Sequence, residues 1–326
     1  MIPCLSIVIP SHNRPDLLRA CLDSVLRHMP PDTEIVVVDD ASPGGVVGAA
    51  AREFAGVRVE RLERCGGFCI AANAGLRTSG GEVVELLNDD TEVCDAWAGA
   101  ALEVFADSRI GAVAPLVLRW PGGPPGQATV DSAGDRYYLG GVAGKHSHGE
   151  VLRPDHLRPR FVFGASASSA FYRREALLRA GAFPESFGAY FEDVDLSFRL
   201  HWAGYRVFFE PRSRVLHHVS ASYGARPDTA LLEQQSRNEE LVFWRNVPGG
   251  ALLRVLPLHL AVVAAKAWRR WRCGELLPFL RGRLQALRQL PALRAHRCAL
   301  RRFGPPARPE EWLVDRSLRG LGERPA

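Results

Sequence analysis

Residues 5–10 are apolar at every position but Ser6 and close on a proline, and the chain then changes period. Leu17, Leu18, Cys21, Leu22, Val25 and Leu26 recur at helical spacing. The change predicts a buried strand feeding an amphipathic helix, with Asn13 as its cap. "EIVVVDDAS" repeats the first half of that pattern, a fully apolar strand that ends in acids. A helix over 46–54, a strand over 57–62, a helix over about 67–77 and the strand "EVVELLNDD" follow. Strands that alternate with helices imply parallel crossover units, and their unbroken apolar character implies that both sheet faces are covered. Beyond residue 111 the pattern loosens. "RWPGGPPGQ" reads as a surface loop, "FVFGASASSAFYRREALLRAG" as a strand pair leading into a short helix, and "AYFEDVDLSFRLHWAG" as a helix. "YRVFFEP" and "SRVLHH" read as two short strands.

From about Gln234 the chain becomes helical and basic, and a polar tail containing "FGPPARP" closes it. The expected architecture is α/β, a mostly parallel central sheet flanked by helices with a basic helical extension at the C-terminal end. The expected divisions are 1–235, 236–303 and 304–326, and no internal repeat is present.

Charge sharpens that division. The net charge is +5, yet residues 237–303 hold fourteen Lys and Arg against three acids, while the first 236 residues hold 23 against 29. The rest of the composition is ordinary for a globular chain, with 47% hydrophobic and 24% charged residues. Seven cysteines, an odd number without a CxxC pair, argue against a zinc or redox centre and fit a reducing cytosol. "MIPCLSIVIP" is too short for a signal peptide. The longest apolar run, 255–265, is interrupted by Pro257 and His259, so no membrane-spanning helix is expected. The expected location is the cytoplasm, peripheral on the inner face of the cell membrane.

Ligands of an open α/β sheet bind beyond the carboxyl ends of its strands. Here those ends carry "PSHN", "DDAS" and "NDDTEV". The first loop has no glycine, which excludes a dinucleotide fingerprint. Asp89 and Asp90 suit a hard divalent cation that shares phosphate oxygens, and His217 or His218 could complete such a shell, with strand alternation favouring His217. In "YFEDVDLSFRL", Asp195 and Arg199 stand four apart and can pair, and a helix dipole accommodates acids in a first turn. Asp193 is left over. It follows an aromatic run that looks like a pocket wall, where a raised pKa would make it a general base.

In this order, "SIVIPSHNRPDLL", "EIVVVDDAS", "GGFCIAANAGL", "GEVVELLNDDTEV", "YFEDVDLSFRLHWAGYRV" and "VLHHVSAS" resemble the family 2 glycosyltransferases of the GT-A type, the group that includes bacterial rhamnosyltransferases. The resemblance covers about residues 4–245 and implies a Rossmann-like GT-A fold and an inverting, metal-dependent transfer from a nucleotide-sugar donor, UDP- or dTDP-linked, to a glycan or lipid-linked acceptor. It implies that Pro10, Ser11 and Asn13 line the nucleotide site, that Asp40 accepts the N3–H of the base, and that Asn73 and Gly75 edge the donor site. Asn88, Asp89 and Asp90 would stand in the DXD position, with Asp90 and His217 the ligands of Mg²⁺ or Mn²⁺. Asp193 would be the catalytic base with Glu192 beside it. Two departures stand out: Asn88 replaces the first DXD carboxylate, and Cys65 occupies a position where the family often has asparagine.

The basic segment also has leucine stripes and two tryptophans, Trp268 and Trp271, which fits an anionic membrane surface or a solvated helical pair packed on the catalytic domain. Nucleic acid is not expected, since no recognised binding motif appears. A noncatalytic nucleotide-sugar or glycan binding protein is the alternative on the same fold. A nucleotidyltransferase would need a glycine- and lysine-rich phosphate loop that is not there.

Overall fold

The computed structural model describes residues 4–120, 128–218 and 228–304. Most of the expected loop at 119–127, the end of "VLHHVSAS" and the polar tail from 305 onward lie outside the described residues.

The first half is laid down by crossover units: β1 (Leu5–Ser11), α1 (Pro15–His28), β2 (Thr33–Asp39), α2 (Val46–Ala51), β3 (Val57–Arg61), α3 (Phe68–Thr78) and β4 (Val83–Leu87). Every residue of β1 and β4 is buried, which accounts for their near-continuous apolar sequence. The four strands are parallel in the order β3-β2-β1-β4. The chain moves outward from β1 through β2 to β3 and then returns to the other side of β1. That reversal parts the strand ends and opens a crevice between β1 and β4.

The second half widens the sheet through β5 (Thr91–Val93), α4 (Trp97–Val104), β6 (Ile110–Arg119) and β7 (Val130–Ser132). A separate hairpin follows, β8 (Asp135–Tyr138) with β9 (Val142–Lys145). Next come β10 (Arg160–Val162), β11 (Ser169–Arg173), α5 (Arg174–Ala180), α6 (Glu192–Trp202) and β12 (Arg206–His217). The antiparallel strands are confined to this half. β11 inserts between β4 and β6, while β10 lies at the outer edge against β12. The expected strand pair in 161–181 therefore exists as two strands that do not pair with each other. The two short strands expected near the end of this half are one strand, β12, whose register slips between Glu210 and Arg214 around Pro211. Asn13 is not a cap. It adopts a left-handed conformation with φ of 55°, its amide donates to Ser42 Oγ at 2.9 Å, and Arg14 holds the cap position before Pro15.

The basic region forms α7 (Thr229–Asn246), α8 (Gly249–Arg272), α9 (Leu276–Leu287) and α10 (Leu290–Leu300). α7 runs through the division expected at 235/236, and Leu241, Phe243, Val255, Ala286 and Leu293 join the same core as the sheet. α8 continues through Pro257 and His259. His259 is buried with Nδ1 2.9 Å from the Gly140 carbonyl and Nε2 3.3 Å from Glu240, so its polarity is satisfied inside the helix packing. The helix is thereby long and apolar enough, by length and composition, to cross a bilayer, contrary to the expectation from the sequence.

Candidate active site

Ser11 ends β1 and Asp89 follows β4, so the switch point brings them together: Ser11 Oγ donates to Asp89 Oδ2 at 2.6 Å. Arg14, at the start of α1, spans the pair of carboxylates, 2.6 Å from Asp89 Oδ1 and 3.0 Å from Asp90 Oδ2. Burial pushes Asp89 up to about 6 against the pull of Arg14 and Ser11. From the end of β12, His217 presents Nε2 at 3.3 Å from Asp90 Oδ1. Its other nitrogen, Nδ1, lies 3.2 Å from Asp131 Oδ2, and Asp131 in turn accepts from Lys145 Nζ at 3.1 Å. Burial opposes the charged imidazole, but the hydrogen bonds and charges of Asp131 and Asp90 outweigh it and raise His217 to about 9. Asp131 itself is buried, yet Lys145, His148 and His217 hold it well below the usual carboxylate range.

These donors fit a divalent cation. Adjacent ligands of an octahedral ion with bonds of about 2.1 Å stand roughly 3 Å apart. The separation of Asp90 Oδ1 from His217 Nε2 is of that size. A metal-binding histidine commonly gives its second nitrogen to a carboxylate, the place Asp131 takes.

Asp193 opens α6. Its Oδ2 accepts from the Ala167 amide at 3.0 Å and its Oδ1 from the Val194 amide at 2.8 Å. One residue on, the Ser168 carbonyl accepts from the Asn88 amide at 3.0 Å. The 166–168 turn thus ties the helix carrying Asp193 to the turn carrying Asp89 and Asp90. Burial raises Asp193, while the amides and Lys145 pull the other way. Asp135 is driven up to about 8 by burial and by the nearby charge of Asp193. Tyr190 and Phe191, just ahead, are both left-handed, with φ of 69° and 66°. Aromatic residues hold such a conformation only when surrounding contacts enforce it. α7 does so: Asn238 Nδ2 donates to the carbonyls of Phe187, Ala189 and Tyr190 at 2.9–3.0 Å.

Glu192 is buried, its Oε2 has no hydrogen-bond partner among the described residues, and burial beside Asp193 raises it well above the usual range. It is no solvated first-turn acid. Asp195 is structural, accepting from Arg199 Nε at 2.7 Å, Arg245 Nε at 3.0 Å and Asn246 Nδ2 at 2.7 Å.

Asp40 stands at the end of β2 facing the 65–67 loop. Its Oδ1 accepts from the Gly66 amide at 2.7 Å, and its Oδ2 from the Gly67 amide at 2.9 Å and the Cys65 thiol at 3.3 Å. A carboxylate has about four acceptor positions, so one remains. His12, Asp40 and Cys65 also bring ligand atoms within 4.8 Å of one another and form a second group able to hold a metal ion.

Several expected site residues are turned elsewhere. Pro10 is buried within β1, and the Ser11 hydroxyl is committed to Asp89 rather than open to a nucleotide. Asn73 is spent on packing: its amide donates to the Phe183 carbonyl at 2.9 Å and its oxygen accepts the Phe183 amide at 3.0 Å. Gly75 faces the sheet, where a Cβ would stand 2.3 Å from Val8 Cγ1. Asn88 contributes its backbone to the turn. Sequence reasoning missed Arg14, Asp131, Asp135 and Lys145. For Lys145 a signal existed, since it is one of only two lysines in an arginine-rich chain.

The family model described as glycosyl transferase family 2 matches residues 6–180. The chain is 33% identical over 256 residues to an uncharacterized protein of Sinorhizobium fredii, covering 73% of this chain and 27% of that protein. It is 30% identical to an O-antigen biosynthesis protein of Myxococcus xanthus, covering 68% and 18%. It thus spans well under a third of the length of both. An N-acetylglucosaminyl-diphospho-decaprenol L-rhamnosyltransferase of Mycobacterium tuberculosis is 29% identical, over 60% of this chain and 70% of that one. Among solved structures, a mannosyltransferase of Pyrobaculum calidifontis in complex with GDP-Man and Mn²⁺ superposes with a TM-score of 0.57 at 21% identity, covering 94% and 82% of the two chains. GalNAc-T7 with UDP, GalNAc and Mn²⁺ gives 0.56 at 21% identity, covering 74% and 48%. Identities this low speak to the fold alone, which is the GT-A fold.

Proposed function

The chain belongs to glycosyl transferase family 2, and from that premise we propose that it moves a hexosyl or rhamnosyl unit, with inversion, from a UDP- or dTDP-linked donor to a hydroxyl of a glycan or lipid-linked acceptor. Cell-surface polysaccharide assembly is the setting that its relatives' names favour. One observation carries the reading. The 166–168 turn bonds both Asp193 and the backbone of Asn88, so a carboxylate held by amides sits one turn away from the Asp89–Asp90 pair.

Each residue has a task in this scheme. Asp90 and His217 would hold Mg²⁺ or Mn²⁺, which supplies the positive charge that a diphosphate leaving group needs. Asp131 fixes the His217 ring so that Nε2 faces Asp90. Arg14 adds a guanidinium beside the same carboxylates, suited to phosphate oxygens. The open acceptor position of Asp40 suits the N3–H of uracil or thymine. Asp193, with its raised pKa, takes the proton of the acceptor hydroxyl as that oxygen attacks the anomeric carbon. A single base acting opposite the leaving group inverts the centre.

The test pairs binding with turnover. A panel of nucleotide sugars with and without Mn²⁺ identifies the donor by its rise in melting temperature. Asp193→Asn should keep that rise and lose transfer by about 10²-fold or more. Undiminished turnover in Asp193→Asn would overturn the assignment of the base.

A further inference from the structure

The α8–α9 hairpin has three distinct sides. On α8, Val255, His259 and Val262 are buried and face the domain. His259 stacks on Phe243 with ring centres 3.6 Å apart, and Lys266 pairs with Glu239 of α7. On the far side Leu253, Leu260, Trp268 and Trp271 are 78%, 58%, 62% and 57% exposed. At about 100° per residue these four fall within an arc of about 80°, opposite the buried three. α9 repeats the arrangement with Leu277, Leu280, Leu284 and Leu287, all exposed and again within about 80°. The start of α9 meets the α8 stripe at the hairpin. An apolar depression of about 300 Å³ is walled by Trp268 and Trp271 of α8 and by Leu276 of α9. The two indoles stand 4.9 Å apart.

The third side is cationic. Residues 249–304 contain twelve Lys and Arg and a single acid, Glu275. Arg270 pairs with Glu275, and Arg283 with Glu239 and Glu240. Exposed Arg254, Arg269 and Arg272, however, make no ion pair among the described residues, nor does Arg288 on α9. The first three lie about 100–160° around α8 from Leu253, flanking the apolar stripe. Arginine stems at such an edge lie along apolar surface while their heads reach outward.

We propose that this face seats the protein on an anionic lipid bilayer, with the leucine and tryptophan stripe among the acyl-chain boundary and the flanking arginines at the headgroups. Charge selects this occupant. Two copies of the chain joined through the same patch would bring unpaired arginines together with almost no acid to meet them. A lipid surface supplies the missing negative charge, and tryptophans belong at that boundary. α8 lies on the bilayer and does not span it, because its buried side is engaged with Gly140, Phe243 and Glu240. The inference rests on this surface alone and is independent of the reaction assigned above.

The experiment is co-sedimentation of the full chain with vesicles of phosphatidylcholine alone and of equal parts phosphatidylcholine and phosphatidylglycerol. Binding is expected only to the anionic vesicles and should weaken as salt rises. Trp268→Ser with Trp271→Ser should lower partitioning at least tenfold. Arg269→Gln with Arg272→Gln should lower it by about tenfold and flatten the salt dependence. Both variants should keep the circular dichroism and nucleotide-induced melting shift of the parent chain, since neither pair touches the carboxylate site. Failure of the parent chain to sediment overturns the proposal. So does equal binding to both vesicle types, or sedimentation untouched by loss of the two indoles. If the tryptophan variant instead abolishes a dimer seen by analytical ultracentrifugation, the face is a protein interface and the lipid proposal falls.

Discussion

Arg14 holds Asp89 at 2.6 Å, and its other nitrogen reaches Asp90 at 3.0 Å. The side chain is only one-quarter exposed, while both carboxylates are enclosed. Two adjacent buried carboxylates need a cation, and without a divalent ion the guanidinium meets that need. It therefore competes with a cation for the charge of the same two carboxylates. Arg14→Gln is expected to bind Mn²⁺ more tightly than the parent chain in the absence of nucleotide, by about tenfold, the scale of a partly exposed charge contact. The same change should weaken binding of a nucleoside diphosphate at saturating Mn²⁺. Manganese titration by electron paramagnetic resonance reads the first effect and calorimetry the second. Weaker Mn²⁺ binding without nucleotide would rule out the competition.

Asp131 is the second partner of His217. By accepting at Nδ1 it leaves Nε2 turned toward Asp90, and Lys145 keeps the carboxylate charged despite its burial. Removing such a partner typically lowers metal affinity by about 10–100-fold. Asp131→Asn should fall in that range while the proposed ligands, Asp90 and His217, remain in place. Affinity measured on the protein alone, without substrate, separates this from a loss of turnover.

The alternating half of the fold was readable because β1, β2 and β4 are covered on both faces and so lack a polar period. The second half was not. β12 reads as two strands because Pro211 sits where its register slips, and the antiparallel insertion of β11 between β4 and β6 leaves no local mark. The site divides in the same way. Asp90, His217 and Asp193 lie at strand ends or in the first turn of a helix, positions where local pattern carries meaning. Asp131 lies on β7 and Lys145 on the β8–β9 hairpin, and their approach to His217 depends on tertiary packing alone. Asn73 and Gly75 misled for the opposite reason: both lie on a helix near the crevice, but their faces are turned into the protein.

Asp195 sits with no exposed surface between Arg199, Arg245 and Asn246, and so joins α6 to α7. Burial opposes its charge, but Arg245 and Arg199 overcome that and hold it below the usual carboxylate range. A carboxylate lowered on folding contributes stability above its unfolded pKa of about 3.9 and loses it as pH falls further. Asp195→Asn strands the buried Arg199 and the part-buried Arg245 and is expected to cost about 3 kcal/mol at pH 7. The gap from the parent chain should narrow as both are brought below about pH 4. Because α7 clamps Tyr190 and Phe191, the loss should extend to transfer activity at temperatures where the variant remains folded. Calorimetric melting across pH checks the first part, and a constant gap down to acid pH would contradict it.

Glu85 gives the opposite sign. It lies in the middle of β4 with no exposure, accepting from Trp97 Nε1 at 3.1 Å and Ser169 Oγ at 3.0 Å. Burial outweighs both donors and raises it to about 8. The folded chain therefore holds a proton that the unfolded chain releases near pH 4.3. Stability from this group is fully present below that point, declines as pH rises, and is gone once pH passes about 8. Glu85→Gln has nearly the same shape and keeps an acceptor for Trp97, but it has no proton to lose. Its melting temperature should fall less steeply than that of the parent chain between pH 6 and pH 9, and should exceed it at the alkaline end. Parallel melting curves over that range would mean that Glu85 is ionised within the fold at neutral pH, and that Trp97 and Ser169 suffice to hold a bare charge in the sheet.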